Sequence, residues 1–196
     1  TPQPNAWQRR WASFFAEQRI GWQLELAAEK GLEFGDIDRI VDVVHQQLVS
    51  HQPAPSLLHG DLWSGNCALG PEGPYIFDPA CYWGDRECDL AMLPLHPEQP
   101  PQIYDGYQSV LPLPAGFLAR QPLYQLYTLL NRATLFGGPH LVAAQKALTI
   151  DRAFVFAVES PIDEIGHSSP KQRYKQSRAQ RPTSLLSLPL RVYVLT

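Results

Sequence analysis

Between two stretches with helical periodicity lies a segment that punctuation breaks into pieces too short for helix. From Leu57 to Phe77 the apolar residues fall into LLH, CAL and YIF, divided by clusters of Gly and Pro. Proline removes a backbone donor and glycine frees φ, so triplets of apolar residues between them read as short strands. GPEGP, between Cys67-Ala68-Leu69 and Tyr75-Ile76-Phe77, reads as the turn of a hairpin. The polar residues of this region therefore sit on loops at strand ends, where a scaffold can aim them.

The flanks are helical. Trp7, Trp11, Phe14, Phe15, Trp22 and Leu26 form one apolar stripe over residues 5–30, predicting a helix capped by Asn5 with its aromatic stripe facing the core. Ile37, Ile40, Val41, Val44 and Leu48 repeat the pattern behind a capping Asp36, and the prolines of HQPAPS end it. A short helix is expected from Asp89 to Leu93, cut by Pro94. A nearly all-round apolar one spans 117–136, suiting a helix buried in the middle of the unit, and stops at Gly137-Gly138. A last helix opens near Pro139 and runs to about Leu148. Residues 160–184 collect Ser, Pro, Gln, Lys and Arg with few apolar side chains, so a divergent, flexible basic tail is expected over 149–196.

Charge separates the same two parts. Residues 1–148 hold nine Lys+Arg against fifteen Asp+Glu, a balance of −6, and residues 149–196 hold seven against four, a balance of +3. An acidic body argues against nucleic-acid binding, which rests on neutralising phosphates with basic side chains. No apolar run approaches the roughly 18 residues of a membrane span, and the first residues lack the features of a secretory signal, so a cytoplasmic protein is expected. The three cysteines, Cys67, Cys81 and Cys88, match no metal or redox spacing and read as free thiols, those beside the motif buried and inert.

Chemistry concentrates in HGDLWSGN, residues 59–66, with Asp78 following twelve residues after Asn66 in IFDPA. Phosphoryl transfer asks a protein for a carboxylate to orient and deprotonate the acceptor hydroxyl, and for oxygen ligands to Mg²⁺ on the nucleotide phosphates. Asp61 and Asn66 stand five apart and Asp78 follows a strand, the spacing of a kinase catalytic base, amide ligand and metal-binding aspartate. Magnesium takes hard oxygen ligands and keeps several waters, so Asn66 and Asp78 suffice without His or Cys. Trp63, two residues past Asp61, could stack on a sugar or simply pack in the core. Asp85 and Glu87 read equally as solvated surface charge or as substrate contacts.

HGDLWSGN, IFDPA, CYWGDRECDLAML and LYTLLNRATLFGG together resemble the fructosamine (ketosamine) kinase family, relatives of aminoglycoside phosphotransferases and choline kinases within the protein-kinase-like fold. The resemblance covers about residues 5–148. It implies a mainly α unit with a small β element, the C-terminal lobe of that fold. It also implies an ATP- and Mg²⁺-dependent kinase acting on the C3 sugar hydroxyl of ketosamines or ribulosamines, including those on glycated protein lysines. Such phosphorylation releases the amine and is deglycation repair. By the same resemblance His59 fixes the catalytic loop, and Asp89 either accepts backbone N–H bonds from that loop or caps its helix.

The expected glycine-rich loop and strand lysine of an N-terminal lobe have no counterpart here: no GxGxxG occurs, and Lys30 and Lys146 fall on helical segments. The expectation is thus a second lobe alone, binding Mg·ATP weakly and turning over poorly. An aminoglycoside- or choline-type acceptor and a non-catalytic kinase-like remnant are the alternatives. A two-metal phosphohydrolase would need more His and carboxylate ligands than the sequence offers.

Overall fold

The computed structural model describes residues 1–71, 73–96 and 102–156, so of the basic tail expected over 149–196 the part beyond Phe156 lies outside the described residues. The architecture is mainly helical with two small sheets. Helix α1 (Trp11–Phe14) runs through a π-helical turn (Phe15–Gly21) into α2 (Trp22–Glu29), and α3 spans Ile37–Leu48. Strands β1 (Ser56–Leu58) and β2 (Cys67–Gly70), β3 (Gly73–Ile76) and β4 (Tyr82–Gly84) follow. Helices α4 (Glu87–Met92), α5 (Gln102–Val110), α6 (Phe117–Phe136) and α7 (Gly138–Phe156) complete the described chain.

Helix α3 forms as its periodicity predicts. The Asp36 carboxylate accepts the Arg39 amide hydrogen at 3.1 Å, satisfying an otherwise unpaired donor of the first turn, and Val41, Val44 and Leu48 are buried. They meet Phe15, Ile20 and Leu24 of the first helical run and Leu126 and Leu130 of α6 in one continuous core. Helix α6 is central, packing against α2, α4 and α7. Gly137 (φ +61°) ends it, donating to the Ala133 carbonyl. Helix α7 continues to Phe156, past the expected end near Leu148.

The first helix departs from expectation. It starts at Trp11 rather than behind Asn5, and Trp7 is 85% exposed instead of core-facing. The cause is Arg19, which the π-helical turn carries into the interior, where it is 0% exposed. Its guanidinium donates to the Pro4 carbonyl and to Asn5 Oδ1, both at 2.7 Å, and lies 4.1 Å from the Tyr82 ring centroid and 4.6 Å from that of Phe14. A buried cation must find acceptors and π faces. Asn5 is drawn to that task and leaves capping, and the first residues run beside the helical stretch, Trp22 donating to the Pro2 carbonyl and Gln18 to that of Ala6.

The β segment holds two separate antiparallel ribbons. The hairpin β2–β3 pairs Cys67 with Ile76, as GPEGP foretells. Strand β1 pairs with β4, Leu57 opposite Trp83, an element of three residues that the sequence reading does not place. This pairing matters because it brings the chain back beside its own start, enclosing residues 59–81 as one tied loop. Cys67, Cys81 and Cys88 are all free, with Cys81 exposed rather than buried. Among the described residues no helix is long and apolar enough to cross a membrane.

Arg19→Met keeps the aliphatic stem and removes the donors. It is expected to cost about 3 kcal/mol through lost charged hydrogen bonds, read as a lower urea midpoint, with earlier proteolysis before Trp11. An unchanged midpoint would remove Arg19 from this role.

Candidate active site

The loop from His59 to Asn66 is held from below by helix α4. Asp89, on the first turns of α4, accepts the amide hydrogen of His59 at 2.7 Å and that of Gly60 at 2.8 Å, one on each carboxylate oxygen. Because α4 begins at Glu87, Asp89 lies within the helix and does not cap it; of the two expected roles it takes the loop-holding one. Burial lifts its carboxyl above the usual aspartate range, while the two N–H bonds, Gly60's first, pull the other way. Gly60 has φ +80°, and a Cβ there would run into the Ala80 carbonyl oxygen, so only glycine fits.

His59 clasps the other side. The Asp61 amide donates to its Nδ1 at 3.3 Å, which places the ring proton on Nε2, and Nε2 donates to the Phe77 carbonyl at 3.0 Å. Phe77 in turn donates its amide hydrogen to the Asn66 carbonyl at 3.1 Å, and Ala80 donates to the His59 carbonyl at 2.8 Å. Phe77 is thus gripped at both its N–H and its C=O. The chain then turns at Asp78, the one non-glycine residue with positive φ (+56°) among the described residues, a conformation that aspartate tolerates better than most side chains.

Asn66, buried on the short 3₁₀ turn Ser64–Asn66, closes the loop. Its Nδ2 donates to the Asp61 carbonyl at 2.9 Å and to Asp61 Oδ2 at 3.1 Å, and reaches the Asp78 carbonyl at 3.5 Å. Asp61, Asn66 and Asp78 are therefore brought together. Trp63 is half-buried beside them with its ring centroid 5.1 Å from that of His96, and a Cβ on Gly65 would collide with its indole.

A second constellation lies behind the loop, and it corrects the reading of Asp85 and Glu87 as solvated charge or substrate contacts. They are 2% and 0% exposed. Asp85 Oδ2 receives His51 Nε2 and the Tyr124 hydroxyl, both at 2.6 Å, and its Oδ1 receives the Glu87 amide at 3.0 Å. Trp11 Nε1 donates to the same tyrosine at 3.1 Å. Burial, then the nearby Cys88 and Asp85, hold the Tyr124 hydroxyl protonated far above its usual range. Glu87 is gripped by Arg120, Nε at 2.8 Å and Nη2 at 2.6 Å, a bidentate pair.

His51, Asp85 and Glu87 bring ligand atoms within 4.8 Å of one another, the one such group among the described residues. Every carboxylate oxygen in it already accepts a hydrogen bond. It is an internal strut, and a cation there would have to displace those donors. His51, Tyr124 and Arg120 are functional supports that sequence reading misses, because only the fold brings residues so far apart in the chain together.

The loop that carries Asp61 is thus tied through Asn66 to the strand-end turn at Asp78. The sequence profile of the fructosamine kinase family matches residues 1–152, and the chain belongs to that family. It is 88% identical over 148 residues to a "Probable ketoamine kinase" of Klebsiella aerogenes, covering 76% of this chain and 52% of that one. Against "Probable ketoamine kinase YniA" of Escherichia coli K12 the identity is 83% over the same length, with the same coverage. A crystal structure of a provisionally assigned fructosamine-3-kinase from Haemophilus somnus 129PT superposes with a TM-score of 0.73 at 45% identity, over 76% of this chain and 52% of that one. The chain thus spans about half the length of these relatives.

Asp89→Ala leaves the His59 and Gly60 amides without their acceptor. A loss of about 2 to 4 kcal/mol is expected, with faster hydrogen exchange at those two amides than at the α3 amides. Amides that stay protected in the variant would show that something else holds the loop.

Proposed function

We propose that this chain forms the catalytic-loop lobe of a ketosamine kinase, a unit that transfers the γ-phosphoryl group of ATP to a sugar hydroxyl of fructosamines or ribulosamines. The observation that carries it is the Asn66 amide, whose nitrogen is committed to Asp61 and the Asp78 turn, uniting base and ligand residues in one rigid loop.

Asp61 is the base. Its carboxylate is half-exposed, oriented by Asn66, and accepts the proton of the acceptor hydroxyl as that oxygen attacks phosphorus. With its nitrogen engaged, Asn66 offers Oδ1, and Asp78 offers a carboxylate from an exposed strand-end turn. These donors are all oxygen, the set that suits Mg²⁺. Bound there, the ion would neutralise phosphate charge. The acidic balance of residues 1–148 favours that arrangement, since it supplies few basic side chains for the nucleotide phosphates. Trp63 is the surface on which the sugar rests. His59 and Asp89 keep the loop in register and touch no substrate.

Positioning is the largest part of such catalysis, and relatives about twice as long supply further chain for it. The 196 residues alone are expected to bind Mg·ATP weakly and to phosphorylate a fructosyl amine poorly. Joined to the remaining part of the Klebsiella aerogenes relative, they are expected to release ADP with fructosyl amines in preference to choline or an aminoglycoside. In that protein Asp61→Asn should lower kcat by about 10²- to 10⁴-fold. Full kcat in the variant would exclude Asp61 as the base, and a preference for choline or an aminoglycoside would replace the acceptor.

A further inference from the structure

The half-buried Trp63 indole is backed by its own loop and by a distant element. One support is Gly65, whose missing side chain leaves the space the indole occupies, since a Cβ there would overlap its six-membered ring. The other is the imidazole of His96, which follows the 3₁₀ turn Leu93–Leu95 after α4 and is itself buried. The ring centroids lie 5.1 Å apart with the planes tilted by 37°, within the separation at which aromatic rings touch. His96 is oriented in turn by Arg132 of α6, whose Nη2 lies 2.7 Å from His96 Nε2. Arginine offers only donors, so Nε2 must be the acceptor and the imidazole is neutral with its proton on Nδ1.

We propose that His96 and Arg132 are positioning residues for acceptor recognition: Arg132 fixes the His96 ring, and His96 fixes the Trp63 indole against which the ketosamine sugar stacks. The proposal rests on the reading of Trp63 as the sugar contact. Its physical basis is preorganisation. An indole free to change rotamer would have to be ordered when sugar binds, and that ordering would subtract from affinity. The relay removes this cost beforehand by fixing the ring from α6, the central helix of the core, while touching neither Asp61 nor the cation-binding oxygens.

The test uses the whole chain labelled with 5-fluorotryptophan, which gives one ¹⁹F resonance for each of its five tryptophans, with Trp63→Phe identifying that of Trp63. In sugar-free protein, Arg132→Met is expected to shift or broaden the Trp63 resonance although Arg132 acts through His96. His96→Ala should broaden it further, and His96→Phe, which keeps a ring for the indole but offers Arg132 no acceptor, should shift or broaden it as Arg132→Met does. Titrated with a fructosyl amine, His96→Ala should bind about three- to tenfold more weakly. His96→Phe, with a ring that Arg132 no longer fixes, should recover only part of that loss, with Mn²⁺ affinity unchanged throughout. A Trp63 resonance unmoved in Arg132→Met and His96→Phe, both folded by circular dichroism, would overturn the relay even if His96→Ala fails to fold. A resonance that responds to the substitutions but never to sugar in the unsubstituted chain would instead overturn Trp63 as the acceptor contact, a failure of the proposed function distinguishable from failure of the relay.

Discussion

The two hydrogen bonds from the His59 and Gly60 amides to Asp89 are the constraint on which the rest of the site depends. They fasten a loop that lacks regular structure to a helix that is part of the core. Once that end is fixed, the other ties follow in sequence: His59 reaches Phe77, Asn66 receives Phe77, and Ala80 returns to His59. Every one of these bonds involves backbone. The loop is therefore shaped by where its peptide groups point, which leaves Asp61 half-exposed and Asp78 exposed, with the buried Asn66 amide tying the two positions together. Gly60 is required because the approach of the Ala80 carbonyl leaves no room for a Cβ.

Helix α4 can serve as an anchor only if it is itself immobile, and its first residues show how that is achieved. Glu87 is held by Arg120 of α6, and Asp85, just before the helix, by His51 and by Tyr124 of α6. Buried charges are expensive unless paired, and removing one partner would leave the other stranded. The cost of burying Asp85 and Glu87 is offset by a complete set of donors, and the gain is geometric. Helix α4 is pinned to α6 at its N-terminus, one turn from Asp89. Arg19 ties another part of the unit, where a fully buried guanidinium gathers the N-terminal segment, the first helix and the Tyr82 ring of β4 around one point.

What was legible in the sequence divides along the same physical line. Helix α3, the β2–β3 hairpin and the stop at Gly137 are set by nearest-neighbour chemistry, a cap, a Gly-Pro turn and a glycine, so their signals are local. The spacing of Asp61, Asn66 and Asp78 was legible for the same reason. The start of the first helix was not, because Asn5 reads as a cap until Arg19, fourteen residues on, claims it. Nor was the burial of Asp85 and Glu87: in a string of letters GDRE looks solvated, and only the fold brings His51, Tyr124 and Arg120 within reach. Strand β4 escaped because three residues carry too little pattern to be read without their partner β1.

The acidic balance of the body and its buried charges bear on each other. Three ionised side chains that an acidic surface could have used in solvent, Asp85, Glu87 and Arg120, are spent on mutual or local partners, and Arg19 is spent on carbonyls and rings. They give structure and contribute little field at the loop. The loop and its partner turn carry Asp61 and Asp78, and the Asp89 carboxylate beneath them is held by the His59 and Gly60 amides. Carboxylates repel phosphate, and a nucleotide's approach to them becomes favourable only when a cation joins it. On the proposed reading, then, metal and nucleotide arrive as a pair, and the amide of Asn66, neutral and already engaged, is the ligand that adds an oxygen without adding charge.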